Sequence, residues 1–177
     1  MGPESTLFKH ARVTFSSDKI SFHMYPNANN PSTNWSPANT DISCEGIDWQ
    51  VFHMAQVLSH FSATLTNVVH LNVDDELRKG RQEVVEDVEW PLLLLQFSNV
   101  RTLYVSQGFA RHVALALEDM PEEMFTEALP SLDLIFLEGQ PASSIENFVA
   151  ARRRSGHPVT VADTKTEFDE RLTVLTS

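Results

Sequence analysis

The sequence predicts an α/β fold of stacked strand–helix units, and three observations lead there. The first is a motif that recurs every 32 residues: Leu65–Val73, Phe97–Val105 and Leu129–Leu137 each carry apolar residues at relative positions 1, 4, 7 and 9. All twelve of these positions are apolar in a chain that is 42% apolar overall, which marks a structural repeat. The second is the period-two alternation closing each motif, the mark of a short strand with one buried face. The third is the spacing, which leaves room for one helix and a return loop between strands. The pattern LxxLxxLxL is the leucine-rich-repeat signature. The expected architecture is a short leucine-rich-repeat-like solenoid of about four to five parallel strands with outer helices, capped by an N-terminal β-hairpin.

One domain is expected over 1–177, since this length suits a single compact repeat block. Residues 1–25 form a lead-in segment and the capping hairpin, whose strands Arg12–Ser16 and Ile20–Tyr25 both alternate around the turn Ser17–Lys19. Residues 26–40 are rich in Pro, Asn and Ser and read as a loop holding Trp35. The repeat block spans 41–163. Asp41–Cys44 is expected as an early repeat strand, with Ile42 and Cys44 inward. Asp48 should cap a helix to Ser62 with the stripe Val51, Met54, Ala55, Leu58 and Phe61. Strands at Val68–Val73, Val100–Val105 and Leu132–Leu137 follow.

Between the strands, the charged stretch Asp74–Glu89 reads as a surface loop or frayed helix. Trp90–Phe97 reads as a short helix with Pro91 in its first turn. A further helix begins at Ser106 or Gln107, and a short one runs from Glu122 to Ala128. Ser143 or Ser144 should cap a helix over Ile145–Arg154, whose terminal arginines suit the helix dipole. Gly156 is expected just past its end, then a last strand at Val159–Val161. Residues 164–177 form a tail or terminal helix.

Charge and composition narrow the function. The formal net charge of −11 argues against nucleic acid or an anionic membrane as main partner, because both need a basic footprint. No apolar run, Pro91–Leu95 included, approaches a membrane span. A single cysteine, Cys44, and the lack of an apolar signal core point to the cytoplasm or nucleus. No metal or cofactor is expected. The seven histidines are scattered, His53 and His60 lie too far apart on one helix to share a metal unaided, and no second cysteine can pair with Cys44. Gly108, Gly139 and Gly156 stand alone, so no phosphate loop is formed, and no catalytic residue is assigned.

The residues between the core positions of each strand should stack into ladders on the opposite face. They are His70, Thr102 and Leu134; then Asn72, Tyr104 and Phe136; then Asp74, Ser106 and Glu138. The aromatic pair Tyr104 and Phe136, beside Asn72 and rimmed by acids, is the expected core of a partner-binding surface, with Trp35 as a further candidate.

Several stretches resemble the C-terminal leucine-rich-repeat-like region of basidiomycete F-box-like domain proteins. They are Trp90–Phe97 with Val100–Ser106, Ala128–Gly139, Phe148–Arg152 with Ser155–Val159, Ile47–Phe52, and the His10–Phe22 hairpin. The resemblance implies a non-enzymatic protein-interaction module corresponding to the substrate-recognition half of those proteins. The F-box has no counterpart, because nothing before Arg12 is long enough for its three helices. A ubiquitin-ligase adaptor role is therefore implied only if an F-box lies upstream. The expected partner is a protein, one with basic patches. The alternative is a small-molecule binder or enzyme with a pocket between the 26–40 loop and the sheet, among Tyr25, Trp35, His70 and Tyr104. A standalone decoy of the full-length proteins is a third reading.

Overall fold

The computed structural model describes residues 8–26, 38–44, 46–76 and 89–176. Trp35 and residues 77–88 lie outside this set. The strands are β1 (His10–Phe15), β2 (Lys19–Tyr25), β3 (Ala38–Ser43), β4 (His70–Asp75), β5 (Thr102–Val105), β6 (Leu134–Leu137) and β7 (Thr160–Val161). They form one seven-stranded sheet in the order β3-β2-β1-β4-β5-β6-β7. The helices are α1 (Ile47–Ser59), α2 (Ser62–Leu65), α3 (Trp90–Leu94), α4 (Gln107–Glu118), α5 (Glu146–Arg154) and α6 (Lys165–Thr176).

From β1 through β4, β5 and β6 to β7 every neighbouring pair is parallel, while β1, β2 and β3 form an antiparallel meander. The register carries the 32-residue offset: His70 faces Thr102, which faces Leu134, and Asn72 faces Tyr104, which faces Phe136. The backbone bonds repeat in kind. The amides of Arg101 and Thr102 both donate to the Val69 carbonyl, and those of Asp133 and Leu134 both donate to Arg101. The amides of Val69 and His70 donate in the same way to Lys9, so β1 stands where a preceding unit would stand. Side chains follow the same offset, with Asn99 Nδ2 donating to the Thr66 carbonyl and Ser131 Oγ to that of Ser98.

All twelve motif positions are buried at 2% exposure or less, from Leu65 and Val68 to Ile135 and Leu137. They join Val51, Met54 and Leu58 of α1, Trp90 and Leu94 of α3, Phe109, Val113 and Leu117 of α4, and Phe148 of α5 in one continuous core. Helices α1, α3, α4 and α5 therefore pack on one face of the sheet. Helix α6 packs on the other, where Phe168 meets Leu134, Phe136 and Ala162 in a separate small cluster.

Several elements differ from expectation. Strand β3 is not an early repeat strand: it pairs antiparallel with β2, Ile42 opposite Ile20, and ends the sheet. Asp48 does not cap α1; Gly46 holds the N-cap position at φ 87 and Asp48 sits within the first turn. Phe61 leaves the α1 stripe because the helix ends at Ser59, and it is 47% exposed. The Glu122–Ala128 helix is only a short 3-10 turn over Glu122–Met124. Neither Ser143 nor Ser144 caps α5, because a 3-10 turn over Ala142–Ile145 feeds straight into it. The end of α5 closes as a Schellman motif: His157 N–H donates to Arg152 and Gly156 N–H to Arg153, with Gly156 at φ 83.

Arg152 was expected to serve the helix dipole, but it is 1% exposed. Its guanidinium donates to the carbonyls of Phe125, Pro130 and Leu132. It thereby ties α5 to the loop entering β6, where Leu129 takes the left-handed φ of 52.

Candidate functional site

The face of the sheet opposite α1, α3, α4 and α5 carries the polar side chains, because successive residues of a strand point to opposite sides. The first row across it reads Tyr25, His10, His70, Thr102, Leu134 and Thr160. The second reads Asn39, His23, Arg12, Asn72, Tyr104 and Phe136. The third begins with Asp41, Ser21, Thr14 and Asp74. Among these, Arg12, Asn39 and Asp41 are exposed, while His10, His23, Tyr25, Asn72 and Asp74 are half-buried.

Rings stack along the first row. Tyr25 and His10 have centroids 5.6 Å apart and an interplanar angle of 8°, and His10 and His70 lie 4.5 Å apart at 21°. His70 Nδ1 shares a 2.8 Å hydrogen bond with Thr102 Oγ1. Burial, then the neighbouring His10, Lys9 and Arg101, lowers the pKa of His70 to about 4. His10 is lowered too, by burial and then Lys9. Both rings are therefore neutral at pH 7, which lets two imidazoles stack without charge repulsion.

In the second row Arg12 reaches along the sheet to Asp74, Nε to Oδ2 at 2.9 Å. His23 Nδ1–H donates to Asn39 Oδ1 at 2.8 Å. Burial raises the Asp74 carboxyl and Arg12 opposes that. At the far end, the Tyr104 hydroxyl and the Gln107 amide both donate to Glu138 Oε2 at 3.0 Å. Glu138 thus joins β6 to the first turn of α4, where a carboxylate suits the helix dipole. The Tyr104 phenol is pushed up to about 12 by burial and then by its bond to Glu138.

The expected interface residues fall into three groups. Asn72 and Asp74 are half-buried on β4, where Asp74 pairs with Arg12 of β1. His70 and Thr102 are buried, at 8% and 2% exposure, and bonded to each other. Tyr104, Phe136 and Glu138 lie where α6 crosses. Phe136 is 5% exposed beneath Phe168, with ring centroids 5.9 Å apart. Lys165 Nζ stands 4.7 Å over the Tyr104 ring. Ser106 holds the N-cap position of α4 with a buried hydroxyl that has no hydrogen-bond partner among the described residues. Of the alternative pocket, Tyr25 and His70 flank His10, Tyr104 lies in the next row, and Trp35 is outside the described residues.

Sequence reasoning missed His10, Arg12, His23 and Asn39 as members of this face and named Tyr25 only for the alternative pocket. Period-two alternation in β1 and β2 gives the side of His10, Arg12 and His23, but only the parallel pairing of β1 with β4 places them beside Asn72, and Asn39 fell in the stretch read as a loop. A second exposed apolar surface lies on the helical side. Trp49 is 60% exposed, stacks on His53 at 5.7 Å and meets Phe52 edge-on at 6.3 Å. Among the described residues no three His, Cys, Asp or Glu side chains converge as a metal site, and no helix is long and apolar enough to cross a membrane.

The fold and this face define an α/β protein with a mostly parallel sheet and a polar surface assembled from equivalent positions of successive strands. No family model matches the chain, and no curated protein matches it. Among solved structures, the Thermus thermophilus RuvC structure is similar to it at 14% identity, covering 84% of this chain and 96% of that chain, with a TM-score of 0.34. At that score the likeness carries neither fold nor activity across.

Proposed function

We propose that this chain is a non-enzymatic protein-interaction module. In this reading it is a short leucine-rich-repeat-like solenoid resembling the substrate-recognition half of F-box-type fungal proteins. One observation carries the reading: successive units are equivalent in register and backbone bonding at an offset of 32 residues, so like positions line up across the sheet. Repeat scaffolds bind extended partners through such rows. The polar face from β3 to β4, centred on Arg12, Asn72 and Asn39, is the contact surface. Its partner is a protein with basic patches, which suits the −11 charge of the chain and the carboxylates of Asp41 and Asp74 on that face. A ubiquitin-ligase adaptor role belongs to this reading only if an F-box lies upstream.

Site-specific photo-cross-linking tests it. A benzophenone side chain replaces Asn72 or Asn39, and in a control protein it replaces Leu115, which is 52% exposed on the outer side of α4. The expected result is one protein species captured from both sheet positions and not from 115. Capture of the same proteins from all three positions, or of none from 72 and 39, overturns the assignment.

A further inference from the structure

We propose that α6 is a built-in competitor: it occupies a helix-docking site on the polar sheet face, and a partner helix of the same pattern takes its place. The proposal rests on the reading of that face as a partner surface and names the chemistry of what binds there.

The docking of α6 is slight for its length. Helices α4 and α6 both have 12 residues; α4 buries Phe109, Ala110, Val113, Ala114 and Leu117, while among the described side chains of α6 Phe168 alone is buried. Leu172, one turn on, is half-buried against the same cluster. Val174 is 76% exposed and Leu175 36%. Under this end an open groove of about 590 Å³ separates the helix from Leu134, Pro158 and Thr160. Phe168 belongs to none of the main core; its neighbours Leu134, Phe136 and Ala162 make a cluster apart from it.

The helix is meanwhile held together by itself. The Glu167 amide donates to Thr164 Oγ1 at 3.1 Å, and Glu167 Oε2 accepts from the Asp163 amide at 3.0 Å, a reciprocal cap at its start. Lys165 pairs with Asp169 at 2.8 Å and Arg171 with Glu167 at 2.9 Å, each one turn apart. These contacts all lie within residues 163–171, so none of them is to the sheet.

What it covers is a recognition surface. Tyr104 and Phe136 lie 5.8 Å apart and Phe168 completes a triangle with them at 6.2 and 5.9 Å. Lys165 brings its ammonium over Tyr104, whose hydroxyl donates to Glu138, and its charge is felt at Asp74. The complementary ligand is an amphipathic helix with an aromatic residue, a leucine four positions later, and a lysine or arginine three positions before it. When such a helix displaces α6, the exposed surface of β1 and β4 becomes continuous with Tyr104 and Phe136.

A labelled peptide copying residues 163–176 serves as the probe on the full chain. The double variant F168A/L172A vacates the site and should bind the peptide at least tenfold more tightly than the unaltered chain. Adding F136D to that variant should abolish the binding. In the unaltered chain, hydrogen exchange of α6 amides should run roughly a hundredfold faster than in α4, without general unfolding. Equal peptide binding to both proteins, no binding to either, or exchange protection of α6 equal to that of α4 overturns the proposal. These measurements need no partner, so their failure leaves the protein-interaction reading standing, and loss of the Asn72 cross-link leaves the helix exchange unaffected.

Discussion

The imidazoles of His10 and His70, sixty residues apart in the chain, stack at 4.5 Å across the junction of β1 and β4. This junction joins the antiparallel meander to the parallel strands, so the stack sits at a seam of the fold. Its electrostatics set the acid response. The pKa of His70 is lowered to about 4 in the folded chain, while the unfolded chain titrates near the ordinary 6.5. Protonation therefore favours unfolding. The stabilisation is complete above 6.5 and is lost as pH falls from there toward 4. Between pH 7 and 5 it should amount to roughly 1–2 kcal/mol. Urea denaturation midpoints across that range should fall, and His70→Gln should flatten the dependence.

At the alkaline end the sign reverses. The Tyr104 phenol is pushed up to about 12 and Tyr25 is raised as well, both by burial first. These are the two tyrosines of the chain. Stability from them is complete below pH 10 and is lost as pH rises through their folded values. With Tyr25→Phe in place, absorbance near 295 nm should therefore stay flat through pH 10 and rise only toward pH 12. A clean step at pH 10 in the folded protein would contradict the contact of Tyr104 with Glu138.

Arg152 is expected to be a site of low tolerance. Its guanidinium serves three carbonyls around the loop into β6. Arg152→Met fills the space but leaves those acceptors unpaired, at a cost of at least about 3 kcal/mol. Arg152→Lys should recover only part of that, since an ammonium lacks the planar fork. Thermal unfolding of both variants checks the order.

Gly108 reverses a usual rule. Glycine to alanine within a helix ordinarily stabilises by about 1 kcal/mol. Here an added Cβ would come 2.9 Å from Asp75 Cβ and closer still to its carboxylate. Gly108→Ala should destabilise by about 1–3 kcal/mol. Asp75→Gly in the same chain should restore much of the loss, and a denaturation series on the two single variants and the double variant reads this coupling directly.

The buried framework could be read from the chain because its signal is local. Leu65, Val68, Leu71 and Val73 lie within one stretch, and the same spacing recurs at Phe97 and Leu129, so pattern alone selects the core side. The direction of β3 could not be read, because Ile42 turns inward whether its strand runs parallel or antiparallel; long-range pairing decides. Arg152 looked like one of three arginines at a helix end, and only the path of residues 125–132 draws it inside. The cross-strand rows of β4, β5 and β6 were legible residue by residue. Their cover was not: Phe168 and Leu172 have helical spacing, yet nothing in that spacing says which surface they meet. The N-terminal half of the polar face came mostly from β1 and β2, whose alternation gave a side without a neighbour.

The equivalence of Lys9, Val69 and Arg101 as acceptors for the next unit's two amides has an evolutionary consequence. A strand that presents its edge as a repeat does can receive one unit or several. Duplicating a segment such as 98–129 would lengthen the sheet by one strand while both ends keep their present partners. This architecture can thus gain or lose whole modules without inventing a new boundary, and chains of different length can share one plan.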